Sequence, residues 1–277
     1  MNGALMGQMA RMVRMARAIP REVRRGRRAL SDWPRYAVDV LAYRGLAVWP
    51  SMPSSGCERQ VVTRDGIRLT YRRNRGDIQG IREVFCDEHY RLPPSIRPAT
   101  LVDLGANIGL TSVWFAKRYG VVRVVGVEPV GANVVIARRN LADNEVEGEI
   151  VEAAIGPTRG RVSFEMDRAS NLGRVGPGSP GVDVLDVEMV TMDDVLGRLG
   201  SGADLVKLDI EGGEDALLQG DLSWLDRVGA IIAELHPAVV DCQAVADRLS
   251  ACGLRHLPPS SLWPGSMGMF VRHPAGP

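Results

Sequence analysis

From about residue 100 onwards, the chain alternates short aliphatic and β-branched runs with longer segments of helical period. Apolar runs of this length between helical segments are typical of strands buried on both faces, as in parallel sheets covered by helices. The alternation predicts an α/β fold with a Rossmann-like, mostly parallel sheet. The predicted strands are TLVDL (100–104), VVRVVGVE (121–128), EIVEAAI (149–155), DLVKLDI (204–210) and GAIIAEL (229–235).

Helical periods and a terminal hairpin complete this domain. Two further segments, near 253–257 and 267–272, predict an antiparallel hairpin at the sheet edge, which brings the sheet to seven strands. The helices that flank the sheet are predicted over 109–119, 131–143, 214–220 and 238–252.

Residues 1–31 are strongly basic, with eight arginines against one glutamate, although the whole chain has a net charge of only +1. Apolar residues recur there at helical spacing, which predicts basic amphipathic helices. Such a helix packs on the protein or on a second copy, lies on an anionic membrane surface, or binds nucleic acid. Packing is favoured, and nucleic acid is not expected as a partner. The apolar positions are Met9, Met12, Val13, Ala16 and Ile19.

Residues 32–95 predict a small N-terminal layer of one helix and one β-hairpin. Asp32 is a suitable N-cap, so a helix is expected from Asp32 to about Tyr43. The dipeptide Asp65-Gly66 lies within an alternating segment and is typical of hairpin turns. The α/β domain follows and is placed at 96–277.

Cysteine usage and hydropathy indicate the compartment. Four scattered cysteines without C-x-x-C spacing are typical of free thiols in a reducing environment. No apolar run reaches eighteen residues, and the N-terminus lacks the apolar core of a secretory signal. We therefore expect a cytoplasmic protein, with peripheral membrane contact through the N-terminal helix as an alternative.

The end of the first predicted strand carries a glycine loop, VDLGANIG. Ligands of open α/β sheets bind beyond the carboxyl ends of the strands, so this loop is a candidate ligand site. Gly105 permits a tight turn, and Gly109 is expected to let the following helix approach a ligand closely. The G-x-x-x-G spacing differs from that of dinucleotide sites. Asp103 also places a carboxylate before the turn, which suits a cationic amine better than a pyrophosphate.

The next two strand ends extend the ligand site. Glu128 follows the loop by about twenty residues, where an acid accepts hydrogen bonds from ribose hydroxyls. The backbone at Ala153 and Ala154 is expected to reach the edge of an adenine base. A ribose, a base and a cationic amine are parts of S-adenosylmethionine, so the pattern predicts this cofactor, with Ala106 and Asn107 also in the loop.

The segment DLVKLDIEGGEDALLQG brings carboxylates to the end of a buried strand. Alternation places Lys207 and Asp209 on one side of the strand. One interpretation is a structural ion pair that satisfies two buried charges. The alternative is a catalytic role, because Asp209 and Glu211 end the strand beside the expected cofactor and Gly212-Gly213 leaves room for a substrate.

Several of these segments together resemble the FkbM family of S-adenosylmethionine-dependent methyltransferases. They are LVDLGANIGLTSVWFA, VVGVEPVGANVVIARRNLADN, EAAIG, DLVKLDIEGGEDALLQG and IIAELHP, which span roughly residues 80–240. The resemblance implies a class I methyltransferase fold and methyl transfer to a hydroxyl of a small molecule such as a sugar, glycolipid or polyketide. It also implies that Asp103, Gly105, Asn107, Gly109 and Glu128 hold the cofactor.

Activation of a hydroxyl requires a group that removes its proton. Asp209, Glu211 and His236 are the candidate bases, and histidine has the most suitable unperturbed pKa. Lys207 is expected to orient Asp209, with the lysine itself as an alternative base. A divalent metal on Asp209 and Glu211 is a further alternative, which is not favoured because no H-x-x-x-H cluster accompanies them.

Other features concern the acceptor and the rival functions. Tyr90, Asn171 and the loop 170–181 are expected to cover the acceptor site. One rival is a nicotinamide-dependent oxidoreductase, which the glycine spacing and Asp103 oppose. Another is a membrane or nucleic-acid binding module with a vestigial methyltransferase core. Methylation of a nucleobase nitrogen is disfavoured because DIEGGE lacks the Asn/Asp-Pro-Pro-aromatic turn.

Overall fold

The structure is a computed structural model that describes residue 20 and residues 24–48, 57–166, 173–175, 183–237, 240–258 and 267–272. The described residues form two compact units, of which the first ends at Glu88 and the second begins at His89. The predicted apolar stripe of residues 1–19 and Asn171 both lie outside the described residues, as does most of the loop 170–181.

The first unit contains the predicted helix and hairpin. The helix begins one residue after Asp32, as expected, and continues beyond the predicted end at Tyr43. Gly66 has a φ of +87°, which confirms the turn predicted at this position. In chain order the elements are α1 (Trp33–Val48), β1 (Glu58–Val62), β2 (Arg68–Arg72), α2 (Arg75–Ile81) and a π-helical turn (Arg82–Cys86).

Buried polar contacts hold the hairpin of this unit. Tyr71 is fully buried on β2, and its hydroxyl donates to Asp39 Oδ2 on α1 at 2.6 Å. Arg72 donates to both carboxylate oxygens of Asp77, at 2.9 Å each. Because these carboxylates are buried, the charge-assisted bonds fix the packing of α1 and α2 on the hairpin.

The second unit is built on a seven-stranded sheet. Its strand order is β12-β13-β11-β10-β3-β4-β5, and only β12 and β13 pair in antiparallel fashion with their neighbours. This confirms the predicted mostly parallel sheet and its antiparallel edge hairpin. The strands are β3 (Thr100–Leu104), β4 (Arg123–Glu128), β5 (Gly148–Glu152), β10 (Ala203–Leu208), β11 (Val228–Glu234), β12 (Leu254–His256) and β13 (Met267–Arg272).

Helices connect the parallel strands much as predicted. The helix predicted over 131–143 has those bounds, and those predicted over 109–119, 214–220 and 238–252 begin and end within a few residues of the prediction, whereas the helix Met192–Arg198 was not predicted. They are α3 (Leu110–Tyr119), α4 (Gly131–Asp143), α5 (Met192–Arg198), α6 (Glu214–Leu218) and α7 (Cys242–Ala251). None of the helices in the described part of the chain combines the length and the apolar character needed to cross a membrane.

A second sheet was not predicted. The run EIVEAAI is divided, because β5 ends at Glu152 and the short β6 leaves the main sheet to pair with β9. The order in this four-stranded sheet is β6-β9-β7-β8. Its strands are β6 (Ala154–Ile155), β7 (Gly160–Met166), β8 (Gly173–Val175) and β9 (Asp183–Val190).

The order of the main sheet determines where a ligand can bind. The chain runs from β3 to β4 and β5 on one side, then returns to place β10 and β11 on the other. The switch point between β3 and β10 creates a crevice at their carboxyl ends. Val206 and Leu208 of β10 enter one apolar cluster, against which Ile210 packs, so Lys207 lies on the opposite face as the alternation predicted.

Candidate active site

The loop after β3 is shaped by two glycines in the left-handed region, and each is explained by a protein neighbour. Gly105 has a φ of +73°, and a Cβ there would lie 1.9 Å from the carbonyl oxygen of Asp209. Gly109 has a φ of +76°, and its Cβ would lie 3.1 Å from Ala137 Cα. Gly109 therefore permits close packing of α3 on α4, and its predicted role towards a ligand stays a prediction.

Main-chain bonds fix the same loop against β4. The amides of Gly105 and Ala106 both donate to the Val127 carbonyl at 3.0 Å. Asn107 follows with a φ of +48°, and its side-chain Oδ1 is buried without a hydrogen-bond partner among the described residues. A buried acceptor without a donor is costly, so this atom is suited to a ligand donor.

Glu128, at the end of β4, is held rigidly beside this loop. Its Oε1 accepts from the Val130 amide and the Asn133 side chain at 3.0 Å each, and its Oε2 accepts from the Asn107 amide at 2.9 Å. Burial raises the pKa of Glu128, although these hydrogen bonds act in the opposite direction. Because Oε2 has a single protein donor among the residues that the structure describes, it retains an acceptor position for a ligand hydroxyl.

Ala153 and Ala154 follow β5 and are both buried. The Ala153 amide lies 3.2 Å from the Glu128 carbonyl, so its donor is used within the protein. Contact of these residues with adenine stays a prediction.

Asp103 and Lys207 form a buried ion pair between adjacent strands. They are register partners on β3 and β10, and Lys207 Nζ lies 3.3 Å from Asp103 Oδ1. Asp103 Oδ2 accepts from the hydroxyls of Thr111 and Ser112 at 2.6 Å each. The Asp103 carboxylate thus faces protein groups on α3 and β10, and its predicted role towards a cofactor amine stays a prediction.

Lys207 connects this pair to the end of β10. Its Nζ donates to the carbonyl oxygens of Leu104 and Gly105, at 3.2 and 2.8 Å, and lies 3.3 Å from Asp209 Oδ2. Burial lowers the pKa of Lys207, but Asp103 and Asp209 outweigh this effect and raise it above its ordinary value. Lys207 is therefore a permanent cation at neutral pH, which supports an orienting role and opposes the alternative in which it is the base.

Asp209 also contacts Tyr90, which was predicted to cover the acceptor site. The Tyr90 hydroxyl lies 3.0 Å from Asp209 Oδ2 and 3.3 Å from Glu234 Oε2. Burial and the adjacent carboxylates raise the pKa of Tyr90 far above its usual value, so the phenol remains a donor. Tyr90 and Lys207 both engage Oδ2, which leaves Asp209 Oδ1 facing His236 at 3.9 Å from Nε2.

His236, two residues beyond β11, meets three carboxylates. Its Nε2 lies 3.4 Å from Glu211 Oε2, while Nδ1 lies 3.2 Å from Glu214 Oε1 on α6. Glu214 is fully buried, and the same Oε1 accepts from the Ile210 amide at 3.1 Å. Sequence reasoning named Glu214 only as part of a motif, yet it is the residue that orients the histidine.

The charges of this cluster shift one another's pKa values. The Glu214 hydrogen bond is the main cause that raises the pKa of His236 to about 9. Burial, followed by the negative charge of Asp209, raises the pKa of Glu211 to about 7. Burial is the largest single influence on the pKa of Glu214 and raises it, but the hydrogen bonds from His236 and from backbone amides, together with the charge of His236, leave the pKa lowered. In the ligand-free protein His236 is a cation at neutral pH, unlike the neutral base that its unperturbed pKa predicts.

Most of the predicted site residues are thus brought to one edge of the sheet. The glycine loop and the acidic cluster adjoin each other, because the Gly105 backbone contacts both Lys207 and Asp209. Glu214 and Glu234 were missed as site residues. Glu214 follows Asp209 by five residues in the motif, whereas no sequence signal marks Glu234.

Three features together define a class I methyltransferase fold. They are the order of the main sheet, the glycine loop after β3, and Glu128 at the end of the neighbouring β4. The family model for the methyltransferase FkbM domain matches residues 103–255, more than half of the chain. The chain therefore belongs to the FkbM methyltransferase family, and the resemblance noted in the sequence is confirmed.

Known proteins from several organisms are similar to parts of this chain. The 31-O-demethyl-FK506 methyltransferase FkbM of Streptomyces tacrolimicus is 27% identical over 199 residues, which are 59% of this chain and 76% of that protein. Methyltransferase 1 of Beauveria bassiana is 22% identical over 178 residues, or 56% and 71% of the two chains. Among solved structures, the putative methyltransferase SMU.776, complexed with SAH, has a TM-score of 0.45 at 12% identity and covers 87% of this chain and 66% of its own.

Proposed function

We propose that this protein is an S-adenosylmethionine-dependent O-methyltransferase whose acceptor is a hydroxyl of a sugar, glycoside or glycolipid in natural-product or envelope biosynthesis. The observation that carries this proposal is the cluster of Asp209, Glu211 and His236 at the ends of β10 and β11, directly beside the glycine loop. The name of the Streptomyces relative, an O-demethyl-FK506 methyltransferase, supports oxygen as the acceptor atom.

The residues around the glycine loop fit the cofactor. Asn107 offers a buried oxygen that lacks a donor, and Glu128 Oε2 has room for a second donor. S-adenosylmethionine has an ammonium group and ribose hydroxyls that can donate to such atoms, and when bound it supplies a methyl group on a positively charged sulfur. Gly105 adds no side chain at the turn, and the negative charge of Asp103 and Asp209 favours a cation nearby.

The acidic cluster suits an oxygen acceptor because a neutral hydroxyl is a weak nucleophile. Carboxylates at this position serve transfer in one of two ways: they accept the hydroxyl proton, or they hold a cation that lowers the hydroxyl's pKa. His236 carries a proton in the ligand-free protein, so it positions the carboxylates and does not itself accept the proton in that state. Tyr90 and Lys207 hold Asp209 in place from the other side.

The test is a transfer assay with tritium-labelled S-adenosylmethionine and a panel of sugars and glycosides, each paired with its amino-sugar analogue. Label is expected on the hydroxyl acceptors, with the methylated oxygen identified by mass spectrometry. Asp209→Asn should lower turnover about a hundredfold or more, the size of a lost acid–base or positioning group, while cofactor affinity changes little.

The matched control is Asp226→Asn, because Asp226 is an aspartate with a largely exposed side chain. It should retain the wild-type rate. Transfer only to nitrogen acceptors, or an unchanged rate in Asp209→Asn, would contradict the assignment.

A further inference from the structure

Three potential ligand atoms converge where β10 and β11 end. Asp209, Glu211 and His236 each offer one ligand atom, and these atoms all lie within 4.8 Å of one another. The two distances from Nε2 are 3.4 Å to Glu211 and 3.9 Å to Asp209. In octahedral coordination with bonds of about 2.1 Å, adjacent ligand atoms are about 3.0 Å apart and opposite ones about 4.2 Å. Both distances from His236 Nε2 fall within this interval.

The histidine is held as a metal-binding histidine usually is. Its Nδ1 lies 3.2 Å from the buried Glu214 carboxylate, which is itself anchored by the Ile210 amide. With Nδ1–H donating to Glu214, a neutral ring directs its Nε2 lone pair towards the oxygens of Asp209 and Glu211. In this tautomer, three electron-rich atoms face one position that suits a cation. A carboxylate behind a ligating histidine is the usual means of fixing this tautomer.

A second observation is independent of the ligand distances. Glu214 is fully buried, and its Oε2 has no hydrogen-bond partner among the described residues. Lys207 does not compensate this charge, because its contacts are with Asp103, Asp209 Oδ2 and two carbonyl oxygens. The side of the cluster that contains Glu211, Glu214 and Asp209 Oδ1 therefore has an excess of negative charge, which a divalent cation would offset.

We propose that Asp209, Glu211 and His236 bind a first-row divalent cation, which orients the acceptor hydroxyl and lowers its pKa. Two carboxylates and one imidazole form a donor set that suits Mn²⁺ or Zn²⁺ better than Ca²⁺. Three protein ligands leave coordination positions for the acceptor oxygen and water. This role rests on the proposed O-methyltransferase function, whereas binding of the cation does not.

The atoms balance without a further reactant. The acceptor oxygen coordinates the cation and releases its proton to water. It then bonds to the methyl carbon while the bond from that carbon to sulfur breaks and leaves its electron pair on sulfur. The cation would thus lower the pKa of the hydroxyl, and water would accept the proton that a protein base would otherwise accept.

The binding test uses the full chain after exhaustive EDTA treatment and removal of the chelator, titrated with MnCl₂ or ZnCl₂ by calorimetry. Bound and free Mn²⁺ are also distinguished by electron paramagnetic resonance. One cation per chain is expected to bind the wild type. Glu211→Gln should weaken binding at least about tenfold, and Glu214→Gln about ten- to a hundredfold, as the loss of a residue that orients a ligand does. Glu147→Gln, which changes an exposed glutamate away from the site, is the matched control and should bind as the wild type does.

Two outcomes would overturn the proposal. One is failure of the wild type to bind either cation, or equal binding by the wild type and Glu211→Gln. The other is methyl transfer at the full rate in EDTA, which would remove the cation from the reaction. Because cation titration needs neither cofactor nor acceptor, its result is separate from that of the transfer assay, and failure of transfer with intact Mn²⁺ binding would count against the proposed function alone.

Discussion

The buried pair of Lys207 and Asp103 allows a quantitative prediction. Lys207 is 2% exposed and Asp103 is fully buried, so Lys207→Met leaves the aspartate charge without its nearest cation. Removal of one partner of a buried ion pair costs about 3–5 kcal/mol. At about 2–4 °C per kcal/mol for a unit of this size, a loss of about 4 kcal/mol lowers the melting temperature by about 8–16 °C.

The double variant separates charge from packing. Asp103→Asn combined with Lys207→Met removes the orphaned charge, while the asparagine oxygen still accepts from Thr111 and Ser112. This variant is expected to be more stable than Lys207→Met alone by at least about 1 kcal/mol, because the larger penalty is the uncompensated charge. Differential scanning calorimetry of the full chain without ligand measures both values.

Lys117→Met is the matched control, since Lys117 is the chain's other lysine and is exposed on α3. It should change the free energy of unfolding by no more than about 0.5 kcal/mol. The reasoning is refuted if Lys207→Met melts within about 2 °C of the wild type, or if the double variant loses the sum of the two single effects.

Two further substitutions test the glycine loop and the predicted ribose site. An alanine in the left-handed region costs about 1–2 kcal/mol, and Gly105→Ala should cost more because its Cβ would also displace the Asp209 carbonyl. Urea unfolding measures this loss of stability. The control Gly160→Ala should be nearly neutral, because a Cβ at Gly160 would have no atom within 4 Å. Glu128→Gln should weaken S-adenosylhomocysteine binding about tenfold or more, as measured by calorimetry. The control Glu149→Gln changes an exposed residue and should bind as the wild type does. Equal affinities of the wild type and Glu128→Gln would remove Glu128 from the cofactor site.

The main sheet could be predicted because its signals are local. Apolar runs of strand length separated by helical periods were sufficient for the parallel strands, and Asp65-Gly66 for the hairpin. The second sheet left no comparable signal. Its β6 has only two residues, and the apolar residues of β7 and β9 are interrupted by exposed charges such as Arg161 and Asp186. β6 pairs with β9, a strand that begins nearly thirty residues further along the chain. Such pairing depends on the tertiary structure and cannot be predicted from a local sequence pattern.

The sequence predicted which residues form most of the candidate site, but not which hydrogen bonds they make with one another. Asp209 and Glu211 were identified because they end a buried strand. The bond between His236 and Glu214 depends on the parallel register of β10 with β11 and on where α6 begins. The protonation of His236 was predicted wrongly for the same reason. The pKa of an isolated histidine takes no account of the buried Glu214 carboxylate, which lies 3.2 Å from the ring.

The geometry also explains the spacing of the charged residues in the segment KLDIEGGE (207–214). Lys207 and Asp209 are two residues apart, so the alternation of side chains directs both to the same side of the sheet where β10 ends. Glu211 departs from the strand with a φ of +54°, an unfavourable conformation for a residue with a Cβ. This turn directs Glu211 back towards His236, and the start of α6 three residues later places Glu214 behind the same ring. Strained backbone at a functional site persists when the surroundings fix it. Glu211→Gly should therefore relieve the strain and leave the fold intact while it removes one ligand of the cluster, so stability and cation binding should change in opposite directions.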